Sequence, residues 1–192
     1  MNPVLKLLID GGSLTTAQVQ ALTTTQVATL AYKQVSALGT NVTALQSAQL
    51  QALTGTQVQK GFTVSQVGSL STDQLNELGT SQLRALSSAQ IAQLSSTQVQ
   101  ALATSQVAAL SYRQIAALGS DITVFQSDQL AALSDRQVHG LTATQVGLLS
   151  SDQLNGLQAE HLDALTIPQI RAIGQDHDAV QRLWDILDGK VK

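Results

Sequence analysis

The chain has no cysteine, so it carries neither a disulfide staple nor a thiolate metal site, and its redox compartment stays open. Charge is scarce as well: Asp, Glu, Lys and Arg supply 12% of the residues, about half the usual share of a soluble domain, and the net charge is −3. With so little charge and its few basic residues scattered, the chain has no long-range field to draw nucleic acid or anionic lipid, and no nucleic-acid partner is expected. Aromatic side chains are limited to one Trp, two Tyr and two Phe. No apolar run reaches membrane-spanning length, so no membrane insertion is expected. The stretch from Met1 to Ile9 lacks the basic start and small-residue cleavage site of a secretory leader. Export would then use a signal-peptide-independent route.

What the chain does have is apolar material, 43% of its residues, enough for a continuous core. That material is distributed with a period of eight. From Thr15 to Ile173 the unit Ser/Thr-x-x-Gln-Val/Ile/Leu-x-Ala-Leu repeats twenty times, as in Thr15-Thr16-Ala17-Gln18-Val19-Gln20-Ala21-Leu22. The apolar residues are the fifth and eighth of each octad, so their spacing alternates between three and five. Odd spacings exclude strand alternation. One long helix is excluded too, because eight residues at about 100° each overshoot two turns by roughly 80° and the apolar stripe would wander around the cylinder. The period therefore predicts a helix that stops and restarts in every octad.

The residues at the restart point carry the signal for it. A Ser or Thr followed three positions later by Gln is the capping-box spacing, seen at Thr23/Gln26, Ser87/Gln90, Ser95/Gln98, Thr142/Gln145 and Ser150/Gln153. Gly39, Gly79 and Gly119 stand in the cap place, where glycine would also suit the position just after the preceding helix. Helices of about six residues are unstable alone, since nucleation costs more than so few hydrogen bonds return. They must stack, each fifth- and eighth-position side chain contributing roughly 1.5–3 kcal/mol by burial. The expected fold is an all-α solenoid of about twenty short capped helices.

The array is doubled. Ala31-Tyr32-Lys33-Gln34-Val35 to Val42 recurs 80 residues later as Ser111-Tyr112-Arg113-Gln114-Ile115 to Ile122. Both halves hold a seven-residue unit, Gly39 to Leu45 and Gly119 to Phe125, in which Asn41 or Asp121 takes the Gln place. A nine-residue unit, Thr54 to Phe62, occurs in the first half. The 40-residue spacing of Gly39, Gly79 and Gly119 points to a higher-order group of five octads. The expected organisation is an N-terminal cap over 1–14, a solenoid over 15–174 with halves 15–94 and 95–174, and a C-terminal capping helix within 175–192. The caps rest on Val4, Leu5, Leu8 and Ile9 at one end and on Val180, Leu183, Trp184 and Leu187 at the other. Two such caps are expected of a complete domain.

Chemistry is thinly provided. His139, His161 and His177 are the only histidines, His161 standing in the Gln place, and surface or capping roles are expected for them. Asp176-His177-Asp178 are adjacent rather than convergent and read as a polar turn. Asp73, Glu77, Asp128, Asp135, Asp152, Glu160 and Asp163 fall at varied octad positions with no acid–base pairing. No Gly-rich phosphate loop and no nucleophile-elbow sequence is present. No enzyme activity, cofactor or metal is expected. The recurring Gln is accounted for by the capping box rather than by a ligand-facing ladder. Tyr32 and Tyr112, at equivalent second positions of the two halves, are expected to be exposed and are the candidate surface contacts.

Written as Leu94-Ser95-Ser96-Thr97-Gln98-Val99-Gln100-Ala101-Leu102, the unit resembles the short tandem-repeat tracts of large bacterial secreted and surface proteins, over residues 15 to 173. The resemblance implies a bacterial source, a secreted or cell-surface location, and a spacer or adhesive role. At the C-terminal end, Leu165 to Ile173 with Ala179-Val180-Gln181-Arg182-Leu183 is similar to the two helices of a transcription-activator-like effector repeat. That family needs much longer units, a variable residue pair in the inter-helix loop and positive charge along the backbone path. Here there are octads, Gln175 to Asp178 in the loop, and net negative charge. The sequence thus points to a non-enzymatic structural or adhesive repeat protein with a protein or cell-surface partner, an intracellular protein-binding scaffold being the alternative and nucleic-acid binding the remote one.

Overall fold

The computed structural model describes residues 12–157 and 159–173. Among them, eighteen α-helices of four to seven residues and two 3-10 helices, Gly39–Ala44 and Gly119–Val124, follow one another with no strand. The fold is an all-α repeat solenoid, as the octads require. The chain separates into two compact units, Met1–Leu102 and Ala103–Lys192, with the division one octad beyond Leu94. The expected terminal caps lie outside the described residues except for Gly12 to Leu14, of which Leu14 is buried.

Ten of the eighteen α-helices begin at a reciprocal capping box. In the octad from Ser95 to Leu102, the Gln98 N–H donates to Ser95 Oγ at 3.3 Å and the Ser95 N–H donates to Gln98 Oε1 at 2.7 Å. The Gln half persists where the Ser/Thr half is missing. The N–H of Ala31 reaches Gln34 Oε1 at 2.8 Å, that of Gly79 reaches Gln82 Oε1 at 2.7 Å, and that of Ala103 reaches Gln106 Oε1 at 3.0 Å. Gln is thus the constant member of the box and the hydroxyl its dispensable partner.

The fifth and eighth positions form the core. Val19, Val27, Val35, Val58, Val99 and Ile115 have no exposed surface, and the eighth-position Leu22, Leu53, Leu86 and Leu110 are also buried. Within each unit, stacking pairs helices three octads apart. In the first unit Tyr32–Ala37 packs on Gly55–Gly61, which packs on Thr80–Ala85; in the second, Tyr112–Ala117 packs on Asp135–His139. The extra residue of the Thr54 to Phe62 unit is absorbed as helix, making Gly55–Gly61 the longest at seven residues.

Two expectations are corrected here. Gly39 and Gly119 are not N-caps but take the other role glycine suits, the place just after a helix: each follows the C-cap, Leu38 or Leu118, with φ near +56° and +57°, the left-handed region where glycine pays no Cβ penalty, and opens a 3-10 turn. Only Gly79 caps a helix start. The five-octad grouping also fails, because neighbouring turns of the solenoid meet three to four octads apart. The 40-residue glycine spacing joins residues in two different roles.

Candidate functional site

The same Gln that closes each box has a second task that the sequence did not disclose. Its Oε1 faces the N-cap N–H, so its Nε2 must point the other way, toward the preceding turn of the solenoid. There it donates to carbonyls 26 to 32 residues earlier. Gln49 Nε2 reaches Val19 O at 2.9 Å and Leu22 O at 2.6 Å; Gln82 Nε2 reaches Leu50 O at 2.8 Å and Leu53 O at 2.7 Å. In the second unit Gln137 Nε2 reaches Val107 O at 2.9 Å and Leu110 O at 2.8 Å, and Gln169 repeats the pattern on Val138 and Leu141. The fifth-position carbonyls also accept the eighth-position N–H of their own octad, as Val19 O does from Leu22 at 3.2 Å, whereas the eighth-position carbonyls lie at or just beyond the end of the helix. Asn41 does the same with a shorter side chain, its Nδ2 donating to Leu14 O at 2.7 Å. Most of these amides are buried: Gln90 and Gln145 are each 2% exposed. The ladder is therefore interior scaffolding and does not face a ligand.

The surface contacts named from sequence fall in separate units with different surroundings. Tyr32 is the first residue of its helix and 42% exposed, with exposed Lys33 beside it. A Cβ on Gly61 would lie 2.9 Å from Tyr32 O and 2.9 Å from Val35 Cβ, so glycine lets this helix approach closely. Tyr112, expected to be exposed, is half-buried. Gly140 explains why: a Cβ there would come 2.6 Å from Tyr112 Cβ and 3.0 Å from Cδ2, so the ring settles over the bare backbone. Two guanidiniums complete the cluster, Arg136 at 5.4 Å and Arg113 at 5.7 Å from the ring centroid, and Arg113 Nε donates to the Tyr112 hydroxyl at 3.1 Å. Both arginines are exposed. Cation–π contact holds a guanidinium in place at about 0.5–1 kcal/mol on a surface while leaving N–H donors outward for an acidic or carbonyl-rich partner.

A polar groove of about 530 Å³ in the first unit is lined by Gln51, Thr54, Asn76, Glu77 and Ser81, among others. Gln51 Nε2 donates to Glu77 Oε2 at 2.6 Å, which gives that carboxylate a neutral partner rather than a second acid. Among the described residues no group of His, Asp and Glu is arranged to hold a metal ion, and no helix is long and apolar enough to cross a membrane. His139 is exposed with Nδ1 3.2 Å from Ala164 O. His161 occupies the third residue of Ala159–Asp163, the Gln place, and at 4% exposed it is not a surface residue. His177 lies outside the described residues.

Three overlapping or separate stretches, residues 67–104, 75–112 and 122–159, match the model of the ALTTAQ repeat. The description reads across an octad boundary, as Ala21-Leu22-Thr23-Thr24-Thr25-Gln26 does here. With the stacked octads, this makes the chain a tandem-repeat protein. No curated protein and no solved structure matches it.

Proposed function

We propose that the chain is a non-enzymatic interaction module in which the octad stack presents side chains to a protein or cell-surface partner. The observation that carries this reading is the Tyr112 cluster. A tyrosine pinned over Gly140 and flanked by the exposed Arg113 and Arg136 has the residue types that dominate binding hot spots, already ordered before a partner arrives. Tyr32 with Lys33 would be a plainer contact on the first unit. Similarity to the repeat tracts of bacterial secreted and surface proteins favours an adhesive or spacer role outside the cell.

Fractionating medium, cell surface and cytoplasm for the tagged protein tests the location, and recovery from medium or surface is expected. Purely cytoplasmic recovery would discard the adhesive reading in favour of an intracellular scaffold. Replacing both Tyr32 and Tyr112 with Ser should then weaken surface binding while leaving the helical melt in place. Undiminished binding would remove them as contacts.

A further inference from the structure

Two differences set the Tyr112 cluster apart from its duplicate around Tyr32. One is a second cation: Arg136, third in its octad, lies 5.4 Å from the Tyr112 ring centroid, whereas Thr56 fills the equivalent place in the first half. The other is the kind of cation, since Arg113 follows Tyr112 where Lys33 follows Tyr32. Both guanidiniums are exposed and rest against one neutral ring, and among the described residues no carboxylate pairs with either. Arg113 spends its Nε on the Tyr112 hydroxyl at 3.1 Å, which leaves its two terminal nitrogens facing outward.

A guanidinium held this way keeps its charge and presents a planar fork of N–H donors, which fits a carboxylate through two parallel hydrogen bonds. With Cζ atoms 5.4 and 5.7 Å from one centroid, the two forks lie within about 11 Å of each other. Residues two apart in an extended chain point to the same side, about 7 Å from one another. We infer that the cluster takes a short acidic segment of a partner protein, with carboxylates on alternate residues of an extended stretch, one for Arg113 and one for Arg136. This rests on the interaction reading above and supplies the chemistry of its partner. The occupant is a short acidic segment rather than a long polyanion because of the charge around the pair. Between residues 103 and 173 the only other Lys or Arg is Arg171, against five aspartates and one glutamate, and Asp135 directly precedes Arg136. A polysaccharide or nucleic acid charged along its whole length would carry its further charges past the arginines onto a surface where acids outnumber bases. Two carboxylates meet the arginines alone.

The experiment is an NMR titration of the full chain with the blocked peptide Gly-Glu-Ser-Glu-Gly, following the Arg113 and Arg136 Nε–H signals and the rings of Tyr112 and Tyr32. The neutral peptide Gly-Gln-Ser-Gln-Gly and the polyanion polygalacturonate are titrated beside it. The acidic peptide should shift Tyr112, Arg113 and Arg136 and leave Tyr32 in place, and the neutral peptide should shift none of them. The double variant Arg113→Gln, Arg136→Gln should bind the acidic peptide at least tenfold more weakly with an unchanged melt. Arg136→Thr, which copies the residue the first half carries at this place, should show the same direction of loss if the double variant does not fold. An acidic peptide that shifts nothing at the cluster, or binds these variants as well as the parent, would overturn the inference. Polygalacturonate binding at the cluster more tightly than the peptide would overturn it too and assign the site to a polysaccharide. Surface binding that is lost with Tyr32→Ser and Tyr112→Ser but intact without the two arginines would keep the interaction reading and overturn this inference alone.

Discussion

Gln57 donates from Nε2 to the carbonyl of Leu30 at 2.8 Å, across a turn of the solenoid, while its Oε1 accepts the Thr54 N–H at 2.7 Å. One primary amide thereby opens its own helix and closes the end of another 27 residues earlier. Few side chains fit this position. Glu lacks the donor, Asn is too short for an α-helical octad, and Lys lacks the acceptor. The choice of Gln follows from needing one donor and one acceptor at opposite ends of a planar group.

Within a single box the two partners should not be worth the same. Ser95→Ala removes one acceptor and is expected to cost about 1 kcal/mol, the ordinary value of an N-cap. Gln98→Ala removes the Ser95 N–H acceptor and also the donor that reaches Leu70 O at 2.6 Å. Each buried group left without a partner costs about 1–3 kcal/mol. The order of the two melting temperatures checks this, and a Ser95→Ala loss equal to or greater than that of Gln98→Ala would contradict it.

The three 40-residue-spaced glycines should respond differently to alanine. Gly39→Ala and Gly119→Ala place a Cβ on backbone with φ near +56° and are expected to destabilise by about 1–2 kcal/mol, although open space surrounds both. At Gly79, φ is −65° and a Cβ would meet only Gln82 Oε1 at 3.5 Å. Its replacement should change stability by less than about 0.5 kcal/mol, as the Ala31 and Ala103 caps already imply. Denaturant midpoints for the three variants decide the matter.

At Gly61 and Gly140 the obstacle is contact rather than φ. Gly61→Ala would press a methyl onto the Tyr32 carbonyl and Val35 Cβ, and Gly140→Ala would press one onto Tyr112, each at less than 3.0 Å. A loss of about 1–3 kcal/mol is expected for each from overpacking. For a chain this long that corresponds to several degrees of melting temperature. Gly140→Ala should also increase Tyr112 exposure, which quenching of tyrosine fluorescence reports.

The octad, its helix starts and its buried positions were legible because capping and burial are local: they need only residues within one unit. The partner of each Gln was not, since it lies 26 to 32 residues away and that distance is set by how helices pack, not by the repeat. Gly39 looked like a cap because it fills the Ser/Thr column, whereas the seven-residue unit there turns as a 3-10 helix. Tyr112 was singled out by its recurrence after Tyr32. Its flanking Arg136 and underlying Gly140 were invisible, because only stacking three octads apart brings them to the ring. His161 stands in the Gln column and is buried as most of its neighbours there are, so column membership outweighed its polarity.

The most direct test of the ladder is the melt of Gln90→Glu against pH. In the native chain Gln90 Oε1 accepts the Ser87 N–H at 2.7 Å and Nε2 donates to Phe62 O at 2.6 Å. Glutamate keeps the first bond. When ionised it turns an acceptor toward the Phe62 and Val58 carbonyls, so its folded-state pKa should rise above the unfolded value of about 4.3. When protonated, its O–H donates to the same carbonyl. The expected result is a variant close to the parent below about pH 4 that loses stability by several kcal/mol as pH rises through the folded pKa. Parent and variant melting together at neutral pH would contradict the claim that this amide joins one turn of the solenoid to the next.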